Sequence, residues 1–141
     1  MADEAWTALN RIKTVIDALG VYKHTAIVSG ETPEVALSSQ QLPAVLIVDQ
    51  GTTEEHVASD DGINHTLAFE LHLLVMGKTE SGRIKDLVGR QNDILNALEG
   101  DSTLAGYFPT WGQAENRTEE PPFERRIVPG TMTYWTTATG R

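Results

Sequence analysis

The chain contains no cysteine, which removes disulfides, thiolate nucleophiles and sulfur-ligated zinc together and fits a reducing compartment. Basic residues are also scarce. Eleven Lys and Arg against twenty Asp and Glu leave a formal charge of −9, so the surface repels phosphate backbones at long range and no specific nucleic-acid binding is expected. Long apolar runs are missing as well. The longest, at residues 44–48, falls far short of the roughly 20 residues a membrane-spanning helix needs. The acidic start Met1-Ala2-Asp3-Glu4 lacks the basic opening and apolar stretch of a secretory signal. A cytosolic protein without membrane contact is expected.

Known chemical signatures are sparse in the same way. A phosphate cradle needs clustered glycines between a strand and a helix, and residues 76–83 offer only Gly77 and Gly82, with Lys78 on the wrong side of the second glycine. No G-x-S-x-G occurs; Ser29 and Ser81 merely adjoin Gly30 and Gly82. The four histidines, His24, His56, His65 and His72, with Asp60, Asp61 and Glu70, are the nearest approach to a metal constellation. If residues 64–76 form one strand, His65 and His72 point to opposite faces and cannot ligate together. Asp60 and Asp61 beside Gly62 read as turn formers, and Arg125 and Arg126 as charges protecting an edge strand. No catalytic residue, metal site or cofactor is assigned.

What is present is periodic. The chain is 141 residues long and 40% hydrophobic, enough for one ordered core and hence a single domain over residues 1–141. Ala5, Ala8, Leu9, Ile12, Val15, Ile16 and Leu19 fall on one helical stripe, with Asp3 placed to cap its start and Gly20 to close its end. Residues 25–28 read as a short strand, residues 29–41 as a loop, and residues 44–48 as a strand buried on both faces. Residues 52–59 and 64–76 then suggest a hairpin turning at Asp60, Asp61 and Gly62.

In the second arm Leu67, Phe69, Leu71, Leu73 and Val75 share a core face. Ala68, Glu70, His72, Leu74 and Met76 share the other, where apolar Leu74 and Met76 make Glu70, His72, Leu74 and Met76 the candidate oligomer interface. Ile84, Leu87, Val88, Ile94, Leu95 and Leu98 mark a second helix ending at Gly100. Residues 101–122 read mostly as loop, and residues 123–128 and 131–139, split by Pro129 and Gly130, as one or two closing strands. The expected class is α+β: a mixed, mainly antiparallel sheet flanked by two helices, in the order α-β-β-β-β-α-β-β.

Laid out in this order, the chain resembles the tail terminator proteins of long-tailed bacteriophages, the group of the lambda minor tail protein U. The likeness lies in the amphipathic first helix, Leu42-Pro43-Ala44-Val45 opening a buried strand, a Thr- and Glu-rich hairpin, Ala68-Phe69-Glu70-Leu71-His72-Leu73-Leu74-Val75, the second helix, and a closing strand with Met132-Thr133-Tyr134-Trp135. The resemblance implies a non-enzymatic virion protein assembled in the host cytoplasm. It would form a hexameric ring that caps the tail tube, stops its polymerisation and presents a surface for head attachment. Its partners would be further copies of itself, the tail-tube protein and the head-tail connector, with DNA passing through the ring. Another head-tail joining or tail-tube protein is the alternative, followed by a small metal-dependent enzyme or a ligand-binding domain.

Overall fold

The structure, a computed structural model, describes residues 4–29, 39–56, 62–102, 104–107, 109–118 and 122–137. The first stripe forms α1 (Glu4–Ala18), burying Ala8, Leu9, Ile12, Val15 and Ile16. Gly20 ends it at φ 70°, a conformation that costs glycine least. The cap assigned to Asp3 lies outside the described residues. After α1 come β1 (His24–Ser29), β2 (Ala44–His56), β3 (Gly62–Met76), α2 (Glu80–Glu99), β4 (Thr110–Trp111), β5 (Glu115–Thr118) and β6 (Phe123–Thr137). The fold is α+β, with a six-stranded, mainly antiparallel sheet ordered β1-β2-β3-β6-β4 and with β5 also on β6.

Three strands precede α2 among the described residues, where the sequence suggested four. The run at 44–48 and residues 52–56 of the next belong to the same strand, because Gly51 takes φ 103° and absorbs one extra residue as a bulge between Asp49 and Gly51. The Asp49 carboxylate accepts the Gly51 amide at 2.9 Å, so the residues that read as a strand end hold the strand together instead. The turn expected at Asp60 and Asp61 lies outside the described residues, and Gly62 already belongs to β3.

β6 likewise runs unbroken through Pro129 and Gly130. The Pro129 carbonyl accepts the amide of Gly112 at 2.9 Å, so this residue turns its backbone away from β3 and its missing N–H costs the β3 pairing nothing. Gly130 lets two aromatic rings close over the sheet. A Cβ there would meet Phe69 Cζ at 2.7 Å and Trp111 at 2.9 Å, and those rings stand edge to face, centroids 5.6 Å apart. The segment read as loop, 101–122, contributes the short strands β4 and β5. β6 is therefore flanked on both sides over part of its length, and Arg125 and Arg126 do not protect a free edge.

Both helices lie on one face of the sheet. Their buried residues form one cluster with Val45, Ile47, Leu67, Phe69, Leu71, Leu73, Val75, Val128 and Met132. On the opposite face Leu42, Ala44, Leu46, Val48 and Leu74 form a second, smaller cluster. Within α2 the stripe is rotated from the expected one: Arg83, Leu87, Ile94 and Leu98 are buried, while Val88 is 39% exposed. The cause is the buried Glu124 of β6, which accepts from Arg83 Nε at 3.3 Å while Arg83 Nη1 donates to the Gly77 carbonyl at 3.0 Å. A carboxylate placed this deep requires a cation, and supplying it turns the first turn of α2 toward β6.

Neighbouring residues of α2 should then respond unequally to truncation. Leu87→Ala is expected to cost about 2 to 5 kcal/mol and Val88→Ala no more than about 0.5 kcal/mol. Chemical denaturation of the two variants measures the difference, and equal costs would contradict the rotation.

Candidate functional site

Strand alternation places Glu70 and His72 on the helix-free face of β3, and the register brings Arg125 of β6 beside them, opposite Leu74. Arg125 Nη1 lies 2.8 Å from His72 Nδ1, and His72 Nε2 lies 2.9 Å from Glu70 Oε1. A guanidinium can only donate. Nδ1 is therefore the acceptor, the imidazole is neutral, and its proton sits on Nε2, directed at Glu70. Gln50 Nε2 donates to the same carboxylate oxygen at 3.1 Å. Burial holds the His72 pKa below its usual value, and the Arg125 charge adds to this, against the opposing pull of the Glu70 hydrogen bond. Both ring nitrogens are spent inside the chain, which makes His72 a clip between strands rather than a base poised for a substrate.

The four residues read as an oligomer interface do not form an open row. His72 is 1% exposed and Leu74 8%, Glu70 is half-buried, and Met76 alone is well exposed, at 46%. Leu74 is taken up by the second apolar cluster, against which Phe123 packs. Apolar and polar residues alternating with the core face were read as a surface, but a sheet with a small core on each side produces the same pattern. Helix α1 packs on the opposite face.

The remaining histidines stay apart. His65 occupies the helix-side face, buried, stacked on Tyr134 with ring centroids 4.7 Å apart, and its Nε2 is 2.8 Å from Thr136 Oγ1. His65 and His72 do face opposite ways. His24 opens β1, and the side chain of His56 lies outside the described residues, as do Asp60 and Asp61. Among the described residues no three His, Cys, Asp or Glu side chains converge as metal ligands.

A second constellation was not legible in the sequence. Tyr107 stands edge-on to Tyr134 with centroids 5.7 Å apart, and its hydroxyl donates to Glu4 Oε2 at 2.8 Å. Burial, followed by the Glu4 carboxylate, pushes the Tyr107 pKa up to about 12. With Thr133 and Trp135 these residues line an open cavity of 510 Å³ at the tip of β6, where Trp135 is 53% exposed. Glu4 and Tyr107 are 103 positions apart, and the only local signal was the aromatic content of the closing strand. The corner is acidic and aromatic, suited to a cation.

The neutral His72 fixes a pH dependence. Its folded pKa lies below the unfolded value near 6.5, so the unfolded chain takes up a proton first as the pH falls. Stability should decline as the pH drops below about 6.5 and level off beneath the folded pKa. His72→Gln, which keeps a donor and an acceptor, should flatten that part of the profile; thermal melts from pH 7.5 to 4.5 measure it, and parallel profiles would contradict the assignment.

Neither a family model nor a curated protein matches this chain.

Proposed function

We propose that the chain is a tail terminator of a long-tailed bacteriophage, a structural subunit closing into a hexameric ring on the last ring of tail-tube protein. The ring stops tube growth and offers a surface to the head-tail connector. The observation that carries this reading is that the sheet ends in two unlike edges, each with an uncharged stretch. At one end β1 is paired, among the described residues, only to β2. At the other, β4 and β5 reach β6 at residues 124–127 and 130–131, and beyond them residues 132–137 have no strand but β3 beside them among the described residues.

Neither β1 nor residues 132–137 of β6 contain Asp, Glu, Lys or Arg, and the charged residues on that outer side, Glu115 and Arg117, lie on β5. Charged side chains are the usual guard against edge-to-edge pairing, so their absence from these two stretches favours pairing there. Two different patches on one subunit produce a head-to-tail contact, which closes when the rotation per subunit divides the circle and otherwise continues as a filament. The element order agrees with the resemblance drawn from the sequence, and the net negative charge suits a conduit that must not grip passing DNA. An open filament made through the same edges would be the behaviour of a tail-tube subunit, the second reading.

Tails purified with and without the protein decide between these. Negative-stain images are expected to show one closed ring at the head-proximal end, and tube subunits polymerised in its absence should exceed the normal tail length. The protein distributed along the tube, or missing from finished tails, would overturn the assignment.

A further inference from the structure

We infer that the joint between neighbouring copies is made by β1 of one subunit running parallel along residues 132–137 of β6 in the next. Lys23 of the incoming copy enters the corner formed by Glu4, Tyr107 and Trp135. The inference rests on the ring reading above and assigns its contact.

The backbone of β6 supplies the first argument. Because the Pro129 carbonyl is turned toward Gly112, alternation turns the N–H and C=O groups of Thr131, Thr133, Trp135 and Thr137 to the same side, away from β3. Thr131 meets Thr110 of β4. Thr133, Trp135 and Thr137 meet no strand among the described residues. β1 offers six residues, His24–Ser29, with one side unpaired among the described residues, which matches the six positions 132–137.

Direction follows from topology and obstruction. β1 is parallel to β2, which is antiparallel to β3, which is antiparallel to β6, so β1 and β6 point the same way in one subunit. A parallel strand that starts with Lys23 beside Thr133 runs away from β4 toward Thr137, whereas an antiparallel one starting there would run into β4 at Thr131. Charge supplies the end point. Lys23 is exposed and immediately precedes β1, while the cavity beside Thr133 is lined by Glu4, Tyr107 and Trp135, acidic and aromatic residues of the kind that attract an ammonium.

The joint has a geometric consequence. Within its own subunit β1 begins level with Arg125 through the pairs His24–Ala44, Ala44–Leu74 and Leu74–Arg125. Moving Lys23 to Thr133 of the neighbour therefore steps each copy about 30 Å along the strands and about 19 Å across them. A closed ring has no net rise, so the strands must lie nearer its circumference than its axis.

Charge reversal tests the joint by sedimentation, with circular dichroism and melting to establish folding. Glu4→Lys and Lys23→Glu should each weaken self-association by about tenfold or more. An equimolar mixture of the two should restore it, because every joint in an alternating assembly again pairs opposite charges. Thr133→Pro, which removes one outward N–H in the same alternation that already accommodates Pro129, should fold and fail to assemble. The inference is overturned if the single reversals assemble like the parent, if the mixture does not recover, or if the parent stays monomeric at its highest soluble concentration. Rings that form in every variant would leave the tail-terminator reading standing with its contact elsewhere, while tails lacking the protein would remove that reading whatever the variants do.

Discussion

Everything in the fold hangs on β3, which is paired along nearly its whole length on both sides, to β2 through Leu74 and to β6 from Gly62 to Met76. A strand held this way has both faces committed. Leu67, Phe69, Leu71, Leu73 and Val75 meet the helices, so the residues between them must be apolar or fully satisfied. Leu74 is the first kind. His72 is the second, and its burial dictates Arg125 on one nitrogen and Glu70 on the other. The same logic on the helix side couples Glu124 to Arg83 and sets the rotation of α2. Two buried polar clips thus fix how β6 lies against its neighbours, and their cost is contained because each charged or polar group has a partner.

Period and punctuation in the sequence were enough for α1, for the core face of β3 and for the α+β class. They misled where glycine and proline do two jobs. Gly51 looked like an end and is a bulge; Pro129 and Gly130 looked like a break and are, respectively, an outward-facing residue and a gap for the Phe69 and Trp111 rings. Local sequence cannot separate these, since the outcome depends on which strand lies alongside. The candidate interface is mostly buried within the subunit for a related reason. Alternation reports which residues share a face, but whether that face meets solvent, a partner or a second core is set by residues far off in the chain, here Phe123 and Arg125.

The polar groups that looked most chemical in the sequence, His65, His72 and Glu70, are engaged with Thr136, Arg125 and Gln50. Among the described residues, backbone groups at two sheet ends and an acidic aromatic corner between α1 and β6 face outward. Hydrogen-bonding backbone at sheet ends is suited to adding strands, as the proposed ring would require. The charge of −9 is consistent with that proposal, because a conduit for DNA should not hold it.

The central claim is that copies join through β1 of one subunit and residues 132–137 of β6 in the next, and amide hydrogen exchange reads those backbone groups directly. Exchange should be compared between the dilute chain and the chain assembled on tails. Assembly should slow exchange in β1, residues 24–29, and at Thr133, Trp135 and Thr137, while the core of β3 is slow in both states. Unchanged exchange at both edges, with new protection elsewhere, would contradict the account.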